Sequence, residues 1–380
     1  MLIGLAALLC ACATPPAQPP ASVIDAKPAQ TTPTPVTPTP QETTATPAAP
    51  ATPPPAPREH IALLLPTASP AFASVAESVQ QGFLAGAAAE PKGTLPVRVY
   101  SADNEAAALA ANIRTALNAG AVLIVGGLTR DGATIMARHS LTQQDLPMLA
   151  LNTPDASVSP RFHFISLGLD QEARSIAQLA FNEGAKIATV IHGTGGLAKR
   201  IQDAFEKEWQ RLGGQIVLRI PFSGDMNEAQ AIRPKLENLR NDMVFIATDI
   251  TGARTVRPYV PIWMTTYATS MSVDPRAEAV ANVDLDGMRF LDMPWFVQPD
   301  HTAVMVYPRP PAGTGIEQER LYALGIDAWR LALMQTREMQ KVPPDGVTGM
   351  LRLDPGGQVL RSLTPTEIRD GRATPYAKVE

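Results

Sequence analysis

The clearest chemical spacing lies in "VIHGTGGLAKR" (Val190–Arg200), where Gly193, Gly195 and Ala198 fit G-x-G-x-x-A between an apolar run and a helical pattern. In a dinucleotide site such a turn brings the backbone against a pyrophosphate. A carboxylate about 20 residues further on then holds the ribose. Here that neighbourhood is Gln215–Pro221 and contains no carboxylate. The motif also opens the second set of strands and helices, not the first. The plainer reading is a strand-to-helix turn. In it, Gly195 and Gly196 let the backbone turn tightly and leave helix N–H groups facing a cleft.

Other reactive groupings are lacking. The five histidines, His60, His139, His163, His192 and His301, are scattered, with no i, i+4 pair and no zinc-type spacing. No G-x-S-x-G elbow and no P-loop occurs. Only His192 adjoins the glycine turn, and a structural role is the simpler one for it. Both cysteines, Cys10 and Cys12, lie at the N-terminal end, so residues 13–380 offer no disulfide, thiolate nucleophile or cysteine metal ligand. A net charge of −4 gives no electrostatic reason to expect nucleic-acid binding. These absences predict a non-enzyme with no cofactor and no metal.

The elements that would position a site begin beyond a distinctive N-terminal segment. "MLIGLAALLCACAT" is apolar and ends in small residues, too short before Cys12 to span a bilayer. It reads as the apolar part of a signal peptide over residues 1–11. Leu9-Cys10-Ala11-Cys12 resembles the bacterial lipobox, with Cys12 as the lipidated residue. No Lys or Arg precedes the apolar run, and the first basic residue is Lys27, so the true start is expected upstream. Ala13 rather than Asp follows Cys12, which by resemblance to proteobacterial lipoproteins implies sorting to the outer membrane. Of 37 prolines, fifteen fall between Pro15 and Pro57, among Thr and Ala, with only Asp25, Lys27 and Glu42 charged over residues 13–57. Such a segment buries too little apolar surface to offset its ordering entropy. The composition predicts a disordered tether over 12–58 that spans at most roughly 140 Å when fully extended.

From residue 59 the texture is that of an α/β domain. "HIALLLP", "VRVY", "VLIVGG" and "LPMLALN" are short apolar strands separated by helical patterns such as Phe72, Val75, Val79 and Phe83. A second set follows with "KIATVIH", "GQIVLRIPF" and "DMVFIAT". Strands alternating with helices predict parallel sheets with helices on both faces. "GMRFLDMPW", a strongly amphipathic helix "ERLYALGIDAWRLALM" and a hairpin "GVTGMLRLDPGGQVLRSL" close the chain.

In their order, "IALLLPTASPAFASVAESVQQGFLAG", "VLIVGGLTRDGA", "PMLALN", "AFEKEWQRLGGQIV", "GMRFLDMPW", "RLYALGIDAWRLA" and "GVTGMLRLDPGGQVLRSL" resemble the penicillin-binding protein activator lipoproteins, in a short form without the helical-repeat N-terminal domain. The resemblance implies a two-lobed type I periplasmic-binding-protein fold over 59–380, with lobe 1 near 59–166 and 287–342 and lobe 2 near 167–286 and 343–380. It also implies direct contact with a class A penicillin-binding protein, the peptidoglycan synthase, from the periplasmic face of the outer membrane.

By alignment with relatives of that fold, cleft residues would be Thr129, Arg130, Asn152, Thr153, His192, Thr194, Gly195 and Asp249. Thr129, Asn152, Thr153 and Asp249 could hold a zwitterion, or could equally do no more than cap helices and turns. The glycine turn lacks the aromatic residue that amino-acid binders place there, so a cleft ligand stays open. Two classes of function therefore stand: an activator of a cell-wall synthase, and a lipid-anchored solute receptor serving a transporter. The tether and the outer-membrane address favour the activator.

Overall fold

Uninterrupted apolar runs such as Ile61–Leu65 and Leu123–Val125 require cover on both faces, and helices supply it. In the computed structural model, which describes residues 58–90, 93–101, 106–337 and 344–376, strands β1 (His60–Leu65), β2 (Val97–Ser101), β3 (Ala121–Gly126), β4 (Met148–Ala150) and β5 (Phe162–Phe164) form a parallel sheet in the order β2-β1-β3-β4-β5. Helices α1 (Ala73–Ala89), α2 (Ala106–Asn118) and α3 (Arg130–Ser140) cross between its strands. What the sequence predicts for residues 1–57, including Cys12, lies outside the described residues.

The second lobe starts with α4 (Leu169–Asn182), β6 (Ile187–Gly193), α5 (Gly196–Arg211) and β7 (Gln215–Phe222). Short helices α6 (Met226–Gln230) and α7 (Ile232–Glu237), strand β8 (Met243–Ala247), α8 (Ile250–Val256), β9 (Thr265–Ala268) and α9 (Ala279–Asn282) lead to β10 (Met288–Asp292). The chain then passes through α10 (Pro294–Val297), α11 (Thr302–Met305) and the long α12 (Ile316–Thr336). A small antiparallel sheet of β11 (Asp345–Gly346), β12 (Gly349–Leu353) and β13 (Val359–Ser362) precedes β14 (Thr364–Arg369) and β15 (Arg372–Pro375). The lobe-2 sheet has seven strands, β15-β14-β10-β9-β8-β6-β7, antiparallel only where β14 meets β10 and β15.

Two parts of the expected lobe division change. Residues 288–292 are an interior strand of the lobe-2 sheet, because Met288, Phe290 and Leu291 are buried between β9 and β14. Residues 345–362 belong with lobe 1. Leu351 and Val359 enter the core formed by Ile61, Leu63, Phe83 and Trp329, and the Phe164 N–H donates to Gly357 O. The expected hairpin is there as β12 and β13, and Asp354 Oδ1 accepts from the Gly356 and Gln358 N–H groups across its turn. Three segments therefore cross between lobes: after β5, after β10, and between β13 and β14.

Helix α12 also departs from expectation. It is buried on nearly every side, not amphipathic. One side packs on α1 and the sheet of lobe 1, and another meets Met293, Trp295 and Val347. Its charged residues Arg320 and Asp327 are interior and paired.

Candidate functional site between the lobes

The C-terminal ends of the parallel strands point into the inter-lobe cleft, where open α/β sheets place their ligand sites. Strand β3 delivers Arg130 at the start of α3, and β4 delivers Asn152 and Thr153. Arg130, Asn152 and Thr153 line a cavity of about 420 Å³ together with Ser166, Asp170, Arg174 and Arg200. On the other lobe, Thr194, Gly195 and Asp249 line a separate cavity of about 470 Å³ with Leu197 and Thr248. Among the described residues the two cavities share no lining residue. Thr129 and His192 line neither. The eight residues named from the sequence are thus not gathered into one site.

Most of their polar atoms serve the local fold. Thr129 caps α3 by accepting from the Gly132 N–H (3.1 Å), and Asp249 caps α8 by accepting from the Gly252 N–H (2.8 Å). Asn152 Nδ2 donates to Leu128 O at 3.0 Å while its Oδ1 accepts from the Thr153 N–H at 2.9 Å. Thr153 Oγ1 lies 3.3 Å from Ser166 Oγ, and His192 Nδ1 lies 3.0 Å from Gly193 O. Arg200 chelates Asp170, with both contacts at 3.0 Å. Arg130 makes no ion pair among the described residues.

The glycine turn is also plainer than its spacing suggests. Gly195 sits at φ −75° and ψ 158°, an extended conformation open to any residue, and a Cβ on Gly195 or Gly196 would touch nothing within 4 Å. The tight-turn role assigned to these glycines is therefore corrected. Among the described residues no side chain caps α5, and the helix itself gives its first N–H groups no partner.

A third cavity, of about 510 Å³, joins these two on the hinge side. It shares Leu167 and Leu321 with the first and Leu197 and Met271 with the second. Its floor is a charged network that sequence reasoning missed. Arg320 of α12 donates from Nη2 to Asp292 Oδ2 at 2.9 Å and from Nη1 to Oδ1, tying lobe 1 to the end of β10. Asp292 Oδ1 also accepts from the Met293 N–H at 2.8 Å. Glu172 of α4 accepts from both the N–H and the hydroxyl of Ser270, the latter at 2.9 Å. Arg320 and Asp292 are 6% and 1% exposed, so this ion pair is fully interior. The only signal was two charges embedded in apolar stretches, Asp292 in "FLDMPW" and Arg320 in "ERLYALGIDAW".

Burial pushes the Glu172 carboxyl up to about 7, and the nearby Asp292 charge adds to the rise while the Ser270 N–H opposes it. Its ordinary value is 4.5. Between those values the folded state holds more protons at this group than the unfolded chain does, so its contribution to stability falls as pH rises through the window. The change is on the order of 3 kcal/mol, complete above the folded value. His139 and His163, both lowered chiefly by burial, act in the opposite sense. The comparison with Glu172→Gln isolates the effect. Urea denaturation from about pH 5 to about pH 8 should show wild type losing ground steadily to the variant. A gap between the two that does not change with pH would refute the assignment.

Comparisons with known proteins agree with this architecture. The family model described as "LppC putative lipoprotein" matches residues 55–371. The penicillin-binding protein activator LpoA of Pantoea ananatis is 25% identical over 372 residues, covering 84% of this chain and 54% of the relative. The chain thus spans about half the length of the curated relatives it matches. Among solved structures, the C-domain of Haemophilus influenzae LpoA, a regulator of PBP1A, superposes with a TM-score of 0.69 at 25% identity, covering 84% of this chain and all of that one. A Chromobacterium violaceum protein described as a "putative branched-chain amino acid ABC transporter" gives a TM-score of 0.68 at 30% identity, covering 82% and 100%.

Proposed function

This chain belongs to the LppC lipoprotein family, and on that premise we propose that it is a lipid-anchored activator of a class A penicillin-binding protein, acting from the periplasmic face of the outer membrane. The observation that carries the reading is the full coverage of a domain whose own role is regulation of PBP1A. The relatives are named as activators and regulators rather than enzymes, and a non-catalytic role is proposed here too. Cys12 is the proposed lipid attachment site, and residues 12–58 the tether that lets the two-lobed domain work away from its membrane. Activation is exerted by the surface of the lobes, with no nucleotide and no cofactor.

One surface feature suits such a contact. In the turn before β9, Ile262 and Trp263 are 86% and 68% exposed. Exposed tryptophan of this kind is enriched among residues that dominate protein interfaces.

The test uses the full chain carrying Cys12→Ser, which should no longer take up labelled palmitate and should leave the membrane fraction. Added to its cognate class A synthase, it should raise the rate of glycan polymerisation or peptide crosslinking without any cofactor, and Trp263→Ala should reduce that gain. NAD and ATP should leave its melting point unchanged, since a ligand at 100 times its dissociation constant would add about 2.7 kcal/mol. A synthase that does not respond, together with a melting shift from free branched-chain amino acids, would instead establish the solute-receptor reading.

A further inference from the structure

The hinge-side cavity has a chemistry that neither the sheet-edge loops nor an activator role accounts for. Its walls are aliphatic or thioether side chains contributed by all three crossing segments: Leu167 after β5, Met293 after β10, and Leu363 between β13 and β14. At about 510 Å³ it falls within the range of roughly 300–1,000 Å³ typical of small-molecule sites.

Its charged groups are unequally satisfied. Asp292 is matched by the two-point contact from Arg320, and Glu172 has both oxygens engaged by Ser270. Arg361 is the reverse case. It lines the cavity from the end of β13, and its Nε and Nη1 donate to two neutral carbonyls, Ser166 O at 2.9 Å and Thr348 O at 3.0 Å. Its Nη2 has no hydrogen-bond partner, and no carboxylate pairs with it, among the described residues. The buried Nε of Arg320 likewise has no hydrogen-bond partner, lying 3.7 Å from the exposed Glu317. The Arg361 guanidinium has no carboxylate in direct contact among the described residues, Glu172, Asp327 and Asp292 acting on it only from a distance, so it keeps a donor that an incoming anion would engage.

We propose that this cavity binds a small aliphatic monocarboxylate, with the Arg361 guanidinium donating to the carboxylate and the hydrocarbon body lying on Leu167, Leu197 and Leu363. The interior carboxylates Glu172 and Asp292 are engaged, so an ammonium group would meet only the solvent-exposed Glu317. A second negative charge would find no second unpaired cation. The upward shift of Glu172 lowers the negative charge that the incoming anion meets. A ligand here touches both lobes and every crossing segment, so its occupancy bears on how the lobes are set.

Isothermal titration calorimetry on the unlipidated full chain near neutral pH tests this. Hexanoate is expected to bind, whereas hexylammonium and norleucine, which carry the cation the site cannot accept, bind at least roughly tenfold more weakly. Arg361→Gln should weaken hexanoate by roughly tenfold to a hundredfold. Leu197 is 43% exposed, so Leu197→Trp should leave folding intact while filling the cavity mouth and weakening hexanoate. Absence of hexanoate binding, norleucine or hexylammonium binding as tightly, or hexanoate affinity unmoved in Leu197→Trp would each overturn the proposal.

Discussion

Replacing Arg320 with methionine should destabilise the protein by about 3–5 kcal/mol. The side chain of methionine fills much of the same space, so packing changes little. What remains is Asp292, 1% exposed, with its carboxylate stripped of the one cation that pairs with it among the described residues. Glu172, already pushed up to about 7 by burial and by the Asp292 charge, would lose the opposing influence of Arg320 as well. The variant's denaturation midpoint should therefore fall, and fall further as pH rises and Glu172 ionises. Combining Arg320→Met with Asp292→Asn removes the stranded charge. The double variant should be more stable than the sum of the single losses by more than about 1 kcal/mol. Strict additivity would mean that the short contacts between α12 and β10 are not an energetically coupled pair.

The α/β organisation was legible because buried parallel strands cannot hide. The runs in "HIALLLP" and "VLIVGG" become β1 and β3 with almost no side chain in contact with water. The interior charges were not legible, for a reason of distance. Arg320 meets Asp292 across 28 residues and Glu172 meets Ser270 across 98, and no local pattern links such positions. Arg320 and Asp327 interrupt an apolar period in α12, so they mimic a solvent face. Only the third packing surface, supplied by Trp295 and Val347, makes that face interior. The cleft was half legible. Arg130, Asn152, Thr153, Thr194, Gly195 and Asp249 line cavity walls, but segment order could not say that short polar residues at strand ends would be drawn into caps. The lobe boundary at residue 287 failed because β10 and α12 adjoin in sequence but belong to different layers.

Glycine marks the other place where type and role came apart. Gly195 and Gly196 attract notice by their spacing, yet nothing stands where their side chains would be. Gly325 attracts none, yet a Cβ there would lie 2.2 Å from Val79 O and 2.7 Å from Phe83 N. Gly82 is its counterpart on α1, where a Cβ would lie 1.9 Å from Tyr322 O. Helices α1 and α12 therefore touch backbone to backbone, and their contact orders the core of Phe83, Trp329 and the first sheet. The substitution Gly325→Ala should destabilise by at least about 1–3 kcal/mol, the usual cost of overpacking. This holds even though alanine gains about 1 kcal/mol of helix propensity. Gly325→Val should go further, forcing the helices apart so that soluble protein is lost. Gly196→Ala, the same change at the first position of α5, should be neutral or stabilising by up to about 1 kcal/mol. Urea denaturation of the two alanine variants decides the matter. If Gly325→Ala unfolds at the wild-type midpoint, then the close crossing of α1 and α12 does not hold the first lobe together, and the integrity of that lobe must rest on the sheet alone.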